Sequence, residues 1–218
     1  MDFLYKTVGQ SARAEITIER SRFISSVMPC ETRACAEAFF DEIRKEFKDA
    51  THNVPAFVVG KKMELKYASD DGEPQGTAGP PILRYLEMNE LTNLAVVVTR
   101  YFGGIKLGTG GLVRAYTEGV DSCVKAAGIA GALEKWCSKC NMDYSAYNKL
   151  LAYKFPQEIG ETLEFGNPGF SDNVTLDISV AKGKEELLKG ILRDISLGKI
   201  EIKGEEILIK SISLTSMT

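Results

Sequence analysis

The sequence predicts an α+β protein of two domains, residues 1–132 and 133–218. Three observations lead there. Strand-like alternation and helical periodicity succeed one another along the whole chain, and an almost wholly apolar run at residues 94–99 asks for burial on both faces. The pattern then restarts after a small-residue stretch, GIAGALE at residues 128–134.

Taken in order, alternation over residues 14–18 and 22–28, with a turn at 19–21, predicts an opening hairpin. Thr32 is a good N-cap type, and behind it Cys35, Ala38, Phe39, Ile43 and Phe47 recur at helical spacing. Residues 54–60 and 63–67 read as a second hairpin around Gly60, Lys61 and Lys62. The stretch ASDDGEPQGTAGPP, residues 68–81, holds too much Gly, Pro and Asp for helix or strand and predicts a long loop before a short helix at 82–88. Residues 94–99 should form a central strand that feeds the stretch TRYFGGIKLGTGGLVRAY, residues 99–116. Beyond its glycines, Leu112, Tyr116, Val120, Cys123 and Ala127 share one face of a helix that Gly128 can end.

In the second domain, residues 136–142 read as a strand, and Tyr144, Tyr147, Leu151 and Phe155 fall at helical spacing. A short strand at 161–165 precedes a Pro168-Gly169 turn, and residues 174–180 alternate cleanly. A helix over 184–196 then carries Leu187, Leu188, Ile191, Leu192 and Ile195 on one face, and a last strand begins near Lys199. The order β-α-β-β-α-β is that of a ferredoxin-like fold.

A net charge of −3 among 26% charged residues argues against a broad nonspecific nucleic-acid binder, while leaving room for a local basic patch. Five cysteines at positions 30, 35, 123, 137 and 140 do not suggest a disulfide framework, and with no signal-peptide-like start the cytoplasm is the expected compartment. No apolar run approaches the ~20 residues that span a bilayer, so no membrane role is expected.

Five glycines (Gly103, Gly104, Gly108, Gly110, Gly111) at the start of a helix have two readings. They can expose N–H groups and the positive dipole end to phosphate, with Arg100, Lys106 and Arg114 nearby, or they can simply permit close packing of the chain on itself. Composition alone weighs the two equally. The segment is neither a Walker A sequence nor a full GxGxxG. Asp70, Asp71 and Glu73 have the oxygen chemistry for Mg²⁺, but a solvated turn explains them more economically. Cys137 and Cys140 lack a second half-site, and the lone His52 has no evident nucleophile or orienting acid. No metal, cofactor or catalytic residue is therefore expected, and binding ranks above catalysis.

The two loops together, ASDDGEPQGTAGPPIL and VVVTRYFGGIKLGTGGLVRAY, resemble the IMPACT family, including its bacterial YigZ-like two-domain members. The early SRFISS at residues 21–26 and the later domain extend the resemblance over essentially the whole chain. It implies a first domain like the second domain of ribosomal protein S-five and domain IV of elongation factor G, followed by a ferredoxin-like second domain. Eukaryotic members regulate translation, so the resemblance implies RNA, the ribosome or a translation-related protein as partner. The binding residues it points to, with Thr109 added from the helix start, are Asp70, Asp71, Glu73, Thr77, Arg100, Tyr101, Gly103, Gly104, Lys106, Gly108, Gly110, Gly111 and Arg114. A Mg-dependent enzyme acting on a nucleotide or phosphorylated small molecule, and a protein-interaction regulator without a ligand, are the alternatives. The sequence leaves the oligomeric state open.

Overall fold

In the computed structural model, which describes residues 3–214, the chain divides between Ala132 and Leu133, and residues 211–214 group with the first unit. Both units are mixed α and β with antiparallel strand pairing.

In the first unit, β1 (Tyr5–Val8) pairs with the opening residues of a later strand, while β2 (Ala12–Ile18) and β3 (Ser21–Pro29) form the expected hairpin. Its turn is two residues long, Glu19 and Arg20, both at positive φ, as the twist of a tight hairpin demands. Helix α1 (Arg33–Glu46) follows, with Thr32 accepting a hydrogen bond from the Cys35 N–H in the N-cap role its residue type suggests. The second hairpin is β4 (His52–Val59) with β5 (Leu65–Ala68). After the motif loop come α2 (Gly79–Met88), β6 (Leu94–Tyr101) and α3 (Gly108–Ala127). Helix α2 begins three residues before the expected 82 and takes in Pro80 and Pro81, since a first turn has no use for the N–H groups that proline lacks.

The sheet order β2-β3-β6-β4-β5 puts β6 at the centre. Its apolar run reflects two cores. Leu94, Val96 and Val98 face α2 and α3, meeting Ile82, Leu86, Leu112, Tyr116 and Val120. Ala95 and Val97 face α1, meeting Ala36, Phe39, Phe40 and Ile43. A strand buried on both sides needs no polar alternation.

Strand β7 (Ile129–Met142) runs without a break through the stretch where the sequence pattern changes. Residues 129–132 pair with β1 in the first unit. In the second unit the remainder pairs with β10 (Val174–Ala181), which also pairs with the short β8 (Glu164–Phe165) and β9 (Gly169–Phe170). The last strand, β11 (Glu201–Ser213), pairs with β7. Helices α4 (Tyr144–Ala152), α5 (Gln157–Gly160) and α6 (Glu185–Ser196) complete the unit, whose core joins Trp136, Cys140, Leu150, Ile159, Leu176, Ile178, Leu188 and Leu192. Cys137 and Cys140 are both free and buried, and burial lifts the Cys140 thiol to about 11, which keeps it protonated and unreactive at neutral pH.

Candidate functional site

The acidic loop after β5 is held together by its own carboxylates. Asp70 Oδ1 accepts the N–H groups of Ala78 and Gly79 at 3.0 Å each, and Oδ2 accepts that of Gly76 at 2.8 Å. That carboxylate satisfies the donors at the start of α2, where no residue caps from the N-cap position. Asp71 Oδ2 accepts the Asn53 N–H at 2.6 Å and so ties the loop to β4. Thr77 is buried and its hydroxyl donates to Pro74 O at 2.6 Å.

Glu73 turns inward to a third task. Its Oε1 accepts Arg100 Nη1 at 2.6 Å and the Tyr116 hydroxyl at 2.7 Å, with the Glu73 and Arg100 side chains only 3% and 6% exposed. The Arg100 guanidinium lies 5.4 Å from the Phe23 ring centre and 5.5 Å from that of Phe102. Burial and the Glu73 charge push the Tyr116 phenol upward, so it stays a donor. His52 stands opposite Arg100 in the β4–β6 register, its Nδ1 2.7 Å from Asp71 O and its Nε2 3.9 Å from Glu73 Oε1. A carbonyl only accepts, so Nδ1 carries the proton in that contact.

The three acids thus serve a helix start, a strand edge and a buried arginine. Among the described residues no group of His, Cys, Asp and Glu is arranged to hold a metal ion.

The glycine stretch divides between the two readings. Gly103 is a packing glycine: a Cβ there would lie 2.1 Å from Arg20 C and O and 2.5 Å from Ser21 N, and its N–H donates to Ser21 Oγ. Gly104 and Gly108, at φ +86 and +69, have nothing within 4 Å of an added Cβ. Gly111 is tighter, against Leu107 Cβ at 2.9 Å, whereas Gly110 meets only Arg114 Nη1 at 3.8 Å. Helix α3 therefore opens at an exposed, glycine-bare turn, with Leu107 at the N-cap and no side-chain cap. Thr109, Lys106 and Arg114 are exposed there, and among the described residues neither Lys106 nor Arg114 has a carboxylate within 4 Å. Tyr101 is otherwise engaged, its hydroxyl donating to Asp49 at 3.0 Å and its ring 5.5 Å from the Arg22 guanidinium.

The expectation that Arg100 joins Lys106 and Arg114 around a phosphate is corrected: Arg100 is spent on Glu73. Tyr116, Ser21 and His52 belong to its surroundings although none was singled out for that role. Their separations along the chain hide them, since only the strand register and the packing of α3, whose third turn carries Tyr116, bring them to Glu73 and Arg100. The signal that existed was positional, because His52 begins the strand that pairs with the one ending at Arg100 and Tyr101.

A family model described as the Impact N-terminal domain matches residues 19–124, which span both motif loops and most of α3. The IMPACT family member YvyE of Bacillus subtilis is 35% identical over 204 residues, covering 93% of this chain and 92% of that relative. The IMPACT family member YigZ of Escherichia coli is 43% identical over 110 residues, or 50% of this chain and 54% of that protein. A solved crystal structure, described only as that of a hypothetical protein, aligns over 93% of this chain and 97% of its own with a TM-score of 0.56 and 29% identity.

Proposed function

Since the chain belongs to the IMPACT family, we propose that it is a cytoplasmic binding protein of translation control that holds RNA backbone phosphates at the start of α3. The observation that carries this reading is the exposed, uncapped first turn of α3 flanked by Lys106 and Arg114, neither of which has a carboxylate partner among the described residues. Exposed N–H groups and two free cations suit a phosphate oxygen, and contacts of that kind position a nucleic acid without reading its bases. The acids that would repel phosphate are turned inward to the backbone and to Arg100.

We infer a specific fold for each domain as well. A first domain like the second domain of ribosomal protein S-five accords with a sheet whose centre feeds α3. A ferredoxin-like second domain accords with the strand sequence β11-β7-β10-β8 and its helices α4 and α6.

Fluorescence anisotropy of labelled ribosomal and transfer RNA, titrated over a salt series, tests the function. Binding should saturate at low salt. The K106E/R114E double variant should weaken it and flatten the log–log salt slope by roughly 1.4–1.8, the release expected for two lost phosphate contacts. Absence of saturable binding, or a variant indistinguishable from the parent, would refute the proposal. A second reading, docking of a translation-related protein, draws on Phe102, Ile105 and Val113, which are 46%, 37% and 37% exposed around the same turn. Such docking would depend weakly on salt and fall on F102A rather than on the charge reversals.

A further inference from the structure

Strand β11 is one of the longest strands in the molecule, 13 residues, and pairs with β7 alone among the described strands. Its other edge is open. Near the middle of it three consecutive apolar side chains, Ile207, Leu208 and Ile209, are 44%, 40% and 41% exposed. Protein sheets ordinarily blunt such an edge with a proline, a bulge or a charge in the exposed run. This run has none of these, and it is bracketed symmetrically by Glu206 and Lys210. Neither has an oppositely charged partner within 4 Å among the described residues, although other acids and lysines of this unit are paired, such as Glu205 with Lys189 and Glu164 with Lys135. Lys210 moreover feels the like charge of Lys135.

We propose that the free edge of β11 pairs antiparallel with the same edge of a second copy of this chain, in a register centred on Leu208.

In that register Leu208 meets its own twofold mate, Ile207 meets Ile209 twice, and Glu206 meets Lys210 twice. Moving the twofold by one residue to either side, a two-residue slip that keeps the same N–H and C=O groups on the open edge, sets Glu206 against Leu208 or Ile212 and Lys210 against Gly204 or Leu208, and loses both charge pairs. Backbone polarity agrees with the centring. Leu214 donates its N–H to Ile129 O of β7, and alternation along an antiparallel strand turns the N–H and C=O of Ile207 and Ile209 toward the open edge, where they can exchange bonds with each other across the twofold. A self-complementary patch of this kind closes as a dimer and does not propagate. Edge pairing over so few residues makes the dimer weak, so it forms in a concentration-dependent way.

Sedimentation equilibrium of the full chain over a wide concentration range, with charge-swap variants, tests the proposal. The parent should dimerise. Glu206→Lys and Lys210→Glu should each weaken the dimer by about tenfold, because each turns two cross-strand attractions into repulsions. The E206K/K210E double swap should restore it, a result that damage to the fold cannot produce. Trp136 fluorescence, from within the same unit, verifies that each variant is folded. A parent that stays monomeric throughout, a dimer indifferent to the single swaps, or a double swap as weak as either single would overturn the proposal.

Discussion

Replacing Glu73 by alanine should leave the Arg100 guanidinium buried beside Phe23 and Phe102 without its counter-ion, and the Tyr116 hydroxyl without its acceptor. Both side chains of the ion pair are at least nine-tenths buried, so solvent cannot take over. Breaking such a pair from one side costs about 3–5 kcal/mol, which is a large part of a domain stability of roughly 5–15 kcal/mol. Arg100→Met should cost a similar amount by stranding the carboxylate. The double variant E73A/R100M buries no charge, and only the Tyr116 hydroxyl is left wanting, for about 1–3 kcal/mol. The signature is therefore strong non-additivity, with the pair of changes less harmful than either alone. The lone tryptophan, Trp136, lies in the second unit and is a poor probe here, so native-state hydrogen exchange of the β4 and β6 amides is the measurement. A loss below about 1 kcal/mol in E73A, or a double variant that simply sums the singles, would refute the placement of this pair at the heart of the motif.

Two further outcomes test other parts of the structure. Gly103→Ala should destabilise by ~3 kcal/mol, because its Cβ collides with the Arg20–Ser21 backbone, whereas Gly110→Ala, open to solvent in a helix, should be neutral or stabilising by up to ~1 kcal/mol; thermal denaturation compares them, and equal effects would contradict the division of the glycines. Burial holds the Lys135 ammonium below its ordinary value of 10.5, so the unfolded chain retains this proton where the folded chain has lost it, and the group's contribution to stability must rise with pH toward 10.5; Lys135→Met should flatten that rise in urea titrations, and an unchanged slope would argue against it.

Much of the framework is legible in local sequence. Thr32 caps the helix its spacing predicts, and the period-two runs at β2, β3 and β10 pair as their alternation requires. The Gly-rich motif loops are equally recognisable, because their composition leaves few conformations open. The start of α2 was less legible. Its prolines read as loop, and the carboxylate that stabilises the first turn, Asp70, lies nine residues before Gly79. The break at residues 128–134 was visible as a change of pattern, yet the chain crosses it as unbroken strand, since small residues do not by themselves stop a strand that finds partners on β1 and β10.

The candidate site divides along the same line. By itself the sequence determined the family, the two motif loops and the residues they carry, because those depend on residue identity and spacing. Tertiary structure alone decided which charges are spent inside and which face out. Arg100, Lys106 and Arg114 are alike as sequence symbols, but the register of β6 against β4 buries the first on Glu73, while the exposed turn of α3 leaves the other two without a carboxylate among the described residues. A side chain's partner is set by distance in space, and here the decisive partners lie 27 and 43 residues apart.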